Sequence, residues 1–520
     1  MENGESQSVS VWMTSAEVPS FGPLAEDIEA DVCVVGAGIA GMTTAYLLAR
    51  EGKAVVVLDD GPIGGGQTQR TTAHLSNALD DRYLEIERLH GERGARLAAE
   101  SHTEAIARIE AIVREEAIDC DFERLDGYLF LPPGESSEVL DRELEAAHRA
   151  GLADVERLAR APLGSYDTGP CLRFPRQGQF HPLKYLAGLA RAVVRDGGRI
   201  YCGTHVEKIE GGTPARVRAR GGRVITAGAV VVATNTPVND RVAIHTKQAP
   251  YLTYVIGALV PRGSVAKGLY WDTLDPYHYV RLQTLSAEEG AREPEGLPKY
   301  DVLIVGGEDH KTGQADDHAE RHARLEAWAR ERFPMMGAVE FRWSGQVMET
   351  IDGLAFIGPN PLDEPEVFIA TGDSGMGMTH GTIAGILLTD LILGRENPWA
   401  ALYDPSRKTL GAVGEFAKEN LNVIKQYGDW LTGGEVDSAE AVRPGTGAIL
   451  RSGLTKVAVY RDEQGVLHER SAVCPHLGCI VDWNDAEKTW DCPCHGSRFD
   501  CHGRVLNGPA NRDLPPVEAT

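Results

Sequence analysis

The sequence predicts an α/β protein with a small all-β domain at its C-terminal end. Three observations carry this. A strand, a glycine-rich turn, a helix and a second strand follow one another across 31–58, which is the βαβ start of a parallel sheet. Strand-like runs at 251–259, 277–283 and 301–305 suit an antiparallel layer inserted into that sheet. Beyond 447 short β-like runs dominate, and five of the nine cysteines crowd between Cys474 and Cys501.

In chain order, residues 1–27 show no periodicity and read as a tail. The run 32–35 is a strand, 36–41 the turn, 42–51 a helix and 53–58 a second buried strand. Residues 81–160, rich in Glu, Arg, Ala and Leu, predict several amphipathic helices. Further strands are expected at 229–234 and 367–370. Helices are expected at 316–333, ending before Pro334, and at 379–393. The segment 306–311 reads as a polar turn. Residues 431–447, with four glycines and a proline, are the linker candidate. After it, 456–460 and 466–473 form a hairpin across Asp462-Glu463-Gln464-Gly465.

At 520 residues the chain holds about three domain-equivalents. Its 42% hydrophobic and 25% charged residues are those of a globular protein. The net charge of −24 argues against nucleic acid as a partner. No stretch reaches the roughly 18 apolar residues of a membrane span. The best, 383–393, is interrupted by Thr389 and Asp390. The acidic start Met1-Glu2-Asn3-Gly4-Glu5 lacks the pattern of a signal peptide, so a cytoplasmic location is expected. Clustered cysteines in such a chain suggest a metal site. The scattered Cys33, Cys120, Cys171 and Cys202 read as buried apolar residues.

Gly36-Ala37-Gly38-Ile39-Ala40-Gly41 fits G-x-G-x-x-G, between a strand and a helix, with Asp59 ending the next strand. Such glycines let the backbone approach a pyrophosphate at the helix N-terminus, and the acid accepts from a ribose. The fingerprint alone leaves FAD and NAD open. Val367-Phe368-Ile369-Ala370-Thr371-Gly372-Asp373, Arg342-Trp343-Ser344-Gly345, Thr350-Ile351-Asp352-Gly353 with Ile357-Gly358, and Val230-Val231-Val232-Ala233-Thr234 resemble flavin-contacting segments of the D-amino-acid oxidase/glycine oxidase superfamily. The resemblance implies a Rossmann-like FAD domain within 28–430, with FAD-binding parts near 28–80, 190–240 and 340–400 and an antiparallel substrate domain between them. FAD contacts are then expected from Gly36, Gly38, Gly41, Asp59, Thr72, His74, Gly372, Asp373, Gly375 and Met376. Thr71-Thr72-Ala73-His74 is similar to the segment that carries a histidine-linked FAD in dimethylglycine and sarcosine dehydrogenases, with Ala73 where tryptophan is usual. Covalent attachment through His74 and a noncovalent histidine beside the flavin both stay open.

Cys474-Pro475-His476-Leu477-Gly478-Cys479 and Cys492-Pro493-Cys494-His495-Gly496-Ser497 resemble the Rieske motif. In that motif two thiolates hold one iron and two imidazoles the other, which raises the potential above that of a four-cysteine cluster. A zinc site is the alternative that such pairs must be weighed against. The resemblance, to the cytochrome bc subtype, implies a Rieske domain over 448–520 with Cys474, His476, Cys492 and His495 as ligands. It also implies a Cys479–Cys494 disulfide and a covering proline loop at 507–516. Ser497 matches a cluster hydrogen-bond donor of that subtype. Phe499 stands where a donor tyrosine is usual, which implies a lower potential.

Together the resemblances imply a flavin dehydrogenase or oxidase acting on the C–N bond of an amine or amino acid. FAD would pass electrons singly to the cluster, whose exposed histidine edge hands them to a ferredoxin, cytochrome or quinone. Arg281, Tyr254 and His74 are the catalytic candidates, Arg281 as the partner of a substrate carboxylate, with Tyr251 and Tyr279 beside them. One alternative is an NAD(P)H-dependent ferredoxin-reductase-like protein, for which no second fingerprint is found. The other is a Rieske oxygenase, which needs a mononuclear iron. His318 and His322, with Asp316 or Asp317, have the spacing for one, but read as a solvated helix face.

Overall fold

The computed structural model describes residues 8–517 apart from 133, 240–243, 286–299, 362 and 454. Positions 1–7 of the expected tail and 518–520 of the C-terminal domain lie outside the described residues.

The βαβ unit comprises β1 (Ile28–Val35), α1 (Ile39–Arg50) and β2 (Val55–Leu58). Val32 to Val35 and Val55 to Val57 are buried, as expected of parallel strands covered on both faces. Along the chain follow β3 (Val224–Val232), β4 (Gln248–Pro261), β5 (Tyr279–Thr284), β6 (Tyr300–Lys311), α2 (His318–Arg332), β7 (Val339–Thr350), β8 (Val367–Thr371), α3 (Gly377–Ile392) and α4 (Val413–Gln426). In the parallel sheet β3 lies between β8 and β1, and β2 lies beyond β1. In the second, mainly antiparallel sheet the order β7–β4–β6–β5 continues through Leu269–Asp272, Glu123–Phe130 and Cys171–Gln179 to His74–Leu75, with Leu269–Asp272 parallel to Glu123–Phe130. The short strand at His74 thus ties the flavin-side segment to the edge of the second sheet.

Four expectations are corrected. Residues from 8 onward are no loose tail: Trp12 is fully buried and donates through Nε1 to Thr71 O (2.6 Å), while Val9 bridges to Arg342. A large indole removed from water is worth more than the ordering of a short segment costs. The span 81–160 is not all helix. After two helical stretches within Arg82–Glu115, broken at Gly91 (φ 72°), it contributes the strand Glu123–Phe130, because pairing with Cys171–Gln179 overrides local propensity. The expected turn at 306–311 is the end of β6. A register shift sets Glu308 and Asp309 against the single residue Thr253 of β4, and Glu308 takes φ 60°, which is a β-bulge. His318 and His322 face inward, not to solvent.

The C-terminal domain contains the three-stranded sheet Thr446–Ser452, Thr455–Arg461, Leu467–Ser471 and a four-stranded sheet from Asp482–Asn484 to Val505–Asn507. Its hairpin closes at Asp462–Gly465, where Gly465 N–H donates to Asp462 O (2.9 Å). The expected linker is anchored: Glu435 N–H donates to Ile449 O (2.7 Å) and Val436 bridges to Leu450.

Candidate functional site

A cavity of about 950 Å³ lies between the two sheets. Its floor is the turn before α1. Gly36 has φ 105°, and a Cβ there would collide with the Ala233 carbonyl. A Cβ at Gly41 would strike the Gly36 carbonyl, so Gly41 lets α1 pack against the turn and does not itself line the cavity. Ile39 N–H donates to Thr68 Oγ1 (3.1 Å) at the helix start. Asp59 accepts from Ala37 N–H (2.6 Å) and Gly61 N–H (2.8 Å). Burial pushes its carboxyl up to about 7 against those bonds.

Gly36, Gly38, Asp59, Thr72, His74, Gly372, Asp373, Gly375 and Met376 all line this cavity. Asp373 Oδ1 accepts from Met348 N–H (3.2 Å), just before α3. Two lining atoms, His74 Nε2 and Asn235 Nδ2, are buried without a hydrogen-bond partner. Orphaned polar atoms and glycines with no room for a Cβ fit a bound dinucleotide. Burial, then Arg281, lowers the His74 imidazole to about 3, so it stays neutral; Nδ1 pairs with Thr72 Oγ1 (3.0 Å).

The other two catalytic candidates are displaced. Arg281 is fully buried behind the cavity wall. It donates to the carbonyls of Thr72 (3.2 Å), Ala73 (2.9 Å) and Phe180 (3.2 Å) and to Gln283 Oε1 (2.6 Å). It is therefore a positioning residue for the His74 segment, where Ala73 adopts φ 58°, and not the partner of a substrate carboxylate. Tyr254 points to the opposite face of β4 from Thr253, which lines the cavity; strand alternation decides this. Its hydroxyl pairs with His318 Nδ1 (2.6 Å), and its ring meets that of His322 (4.9 Å). His322 Nε2 pairs with Trp343 O (3.3 Å). These histidines belong to a packed layer rather than to a mononuclear iron site.

In the C-terminal domain two loops of the same shape face each other. Gly478 N–H donates to Cys474 O (3.0 Å) and Gly496 N–H to Cys492 O (3.1 Å). Cys479 and Cys494 are disulfide-bonded across the loops. The sulfurs of Cys479, Cys492 and Cys494 lie within 4.8 Å of one another, but the two in the disulfide cannot serve as thiolates. The remaining convergent set is Cys474 beside Cys492, whose thiols are hydrogen-bonded, and the His476 and His495 rings 4.9 Å apart. Two thiols and two imidazoles fit a Rieske cluster. Burial lowers His495 to about 4, leaving the neutral imidazole that a metal takes. Ser497 hydrogen-bonds Cys474 and accepts from Ala510 N–H (2.9 Å).

The two domains are docked by contacts the sequence reading did not single out. Glu487, 1% exposed, pairs with Arg70 Nη1 (3.1 Å) and accepts from Ser344 N–H (3.1 Å) and Oγ (2.6 Å). Gln346, in the cavity wall, donates through Nε2 to Gly496 O (2.8 Å) and accepts from Asn507 Nδ2 (3.0 Å). The His245 ring lies 5.0 Å from that of His476 and 6.0 Å from that of His495. The expected exposed histidine edge is therefore turned toward the first domain; His495 and His245 are both buried. Arg504, Asn507, Asn511 and Asp513 line the cofactor cavity. Only pairings across more than a hundred residues create these contacts, and no local pattern announces them.

Fold and sites together define a flavin-type oxidoreductase carrying an iron–sulfur domain. The chain belongs to the FAD dependent oxidoreductase (DAO) family, whose model matches residues 31–391, and the Rieske [2Fe-2S] domain model matches 434–518. The second match begins inside the expected linker, in agreement with the anchored Glu435. FAD and a Rieske 2Fe–2S cluster are the cofactors of these two domains. The YhfW protein of Bacillus subtilis (strain 168), whose name places it among Rieske 2Fe-2S iron–sulfur proteins, is 33% identical over 98% of this chain and 97% of its own. Gamma-glutamylputrescine oxidoreductase of Escherichia coli (strain K12) is 29% identical over 72% of this chain and 86% of its own. Among solved structures, glycine oxidase from Geobacillus kaustophilus has a TM-score of 0.59 at 18% identity, covering 73% of this chain and 99% of that one, a likeness of fold. Among the described residues no helix is long and apolar enough to cross a membrane.

Proposed function

We propose that the protein oxidises the C–N bond of an amine or amino acid at FAD and passes the electrons singly to the Rieske cluster, and from there to an external acceptor. Bound FAD would supply a two-electron acceptor and the cluster a one-electron one. The glycines at 36, 38 and 372, with Asp59, would hold the dinucleotide. The segment 72–74, fixed by Arg281 and Trp12, would set the neutral His74 against the flavin. Two electrons and one proton leave the substrate carbon together, a second proton leaves the nitrogen, and the C–N single bond becomes C=N.

Gln346 carries the electron-transfer part of this reading. One side chain belongs to the cavity wall and bonds the carbonyl adjoining His495. A cluster docked this way needs no domain swing to receive electrons. The external acceptor is left to approach by the opposite side, near the exposed Leu477. The test is anaerobic visible spectroscopy with amines, amino acids and NAD(P)H. Bleaching of flavin and cluster by an amine or amino acid supports the reading. Bleaching by NADH or NADPH alone replaces it with a reductase.

A further inference from the structure

The cavity carries an excess of acid, drawn from β6 and β7 of the antiparallel sheet, from the turn after β8 and from the loop before Arg82. Asp80, Asp309, Glu349 and Asp373 line it together with Trp271, Tyr277 and Tyr279. Among the described residues no lysine or arginine forms an ion pair with any of the four. Asp80 is exposed at the cavity edge and accepts from Tyr277 Oη (2.8 Å). Gly375 makes room for it, since a Cβ there would meet Asp80 Oδ2. Asp309 is brought inward by the β-bulge opposite Thr253. One of its oxygens is hydrogen-bonded by Thr253; the other, Oδ1, is buried in the cavity wall without a partner.

A buried carboxylate oxygen without a donor is costly, and four mutually repelling acids around one cavity compound the cost. Burial comes first in holding Glu349 and Asp309 above the usual carboxylate range, and for Glu349 the carboxylates of Asp80, Asp373 and Asp309 add to it. A cation placed among them relieves both penalties, and the tyrosine and tryptophan faces add attraction for it. The one arginine expected to pair a carboxylate, Arg281, is spent on backbone carbonyls. The cavity's other arginines serve elsewhere. Arg70 is bound by Glu487, the Arg220 guanidinium faces Glu207 (3.9 Å), and Arg504 stands on the C-terminal loop whose Asn511 donates to Val206 O.

We propose that Asp309 and Asp80 bind the remote ammonium of a di- or polyamine, so that the substrate is a cationic amine without a carboxylate beside the reacting nitrogen. This rests on the C–N oxidation reading and names its substrate class. The nitrogen at the flavin must be neutral to be oxidised; the second nitrogen, kept protonated, provides the hold. The carbon gives two electrons and a proton to FAD, the nearer nitrogen releases a proton, and water hydrolyses the resulting imine to a carbonyl compound and an amine.

The test uses anaerobic holoenzyme and compounds that differ only at the far end: 1,4-diaminobutane, butylamine and 4-aminobutanoate, with sarcosine and proline as amino acids. Flavin bleaching and calorimetric affinity are both read. The diamine is expected to bind at least about tenfold tighter than butylamine, as one partly desolvated ion pair allows, with 4-aminobutanoate the weakest. Asp309→Asn should erase the difference between diamine and butylamine while leaving FAD content unchanged. A preference for 4-aminobutanoate, sarcosine or proline overturns the proposal but keeps C–N oxidation. Tight diamine binding without bleaching by any amine keeps the cation site and overturns C–N oxidation. Equal binding of diamine and butylamine in the unaltered protein overturns the cation site.

Discussion

Replacing Glu487 with alanine removes the carboxylate that Arg70, Ser344 and Ser8 share across the domain junction. Burial alone would raise this carboxyl. Arg70 and then Arg498 outweigh burial, with the hydroxyls of Ser344 and Ser8 helping, and bring it from 4.5 to about 2. At 1.36 kcal/mol per unit that depression is worth about 3 kcal/mol, which agrees with the roughly 3–5 kcal/mol lost when one half of a buried ion pair is removed. The folded value is the lower one, so this stabilisation is complete above about pH 4.5 and is lost as pH falls through about 2. The assay is hydrogen exchange followed by mass spectrometry at neutral pH. The Ser344 amide, whose donor goes to Glu487, should exchange on the order of 10²-fold faster in the variant. Flavin reduction by substrate should be unaffected and cluster reduction slowed. Unchanged exchange around Ser344 and unchanged cluster reduction would refute the view that this pair holds the domains together.

Gly36→Ala should give folded protein without FAD, because the new methyl meets backbone at Ala233 and the left-handed φ is unfavourable; flavin content after purification checks this. Phe499, fully buried beside the cluster loops, lacks the hydroxyl of the resembled subtype. Phe499→Tyr should therefore raise the cluster potential, read by protein-film voltammetry. Cys479→Ser opens a loop whose ends are 15 residues apart. It should lower the stability of the Rieske domain by about 3 kcal/mol, seen as faster loss of the cluster absorbance on heating.

Much of the fold was legible because the informative signals are local. Apolar runs with a glycine turn mark β1–α1–β2, and the motifs around Cys474 and Cys492 mark the cluster loops. The expected FAD contacts lie around one cavity for the same reason: strand ends and helix starts are sequence-visible, and the parallel sheet gathers them. The errors have a different source. Tyr254 and Arg281 are polar residues in strand-like runs, but such a run does not say which of its two faces meets the cavity; alternation turns Tyr254 away from the side that Thr253 lines. Trp12 sits in a segment without periodicity, which reads as loose, although one buried indole suffices to anchor it. His318 and His322 lie among charged residues on α2, yet the side facing β4 is buried. His245, Gln346 and Glu487 gain meaning only when the second domain arrives.

The most direct test of the account is anaerobic rapid mixing of the full protein with a reducing substrate, followed at flavin and cluster wavelengths over a range of protein concentrations. Transfer through the docked interface predicts that the cluster is reduced after the flavin at a rate independent of protein concentration, and more slowly in Gln346→Leu. A flavin that bleaches while the cluster stays oxidised, or a cluster rate that rises with protein concentration, would contradict it.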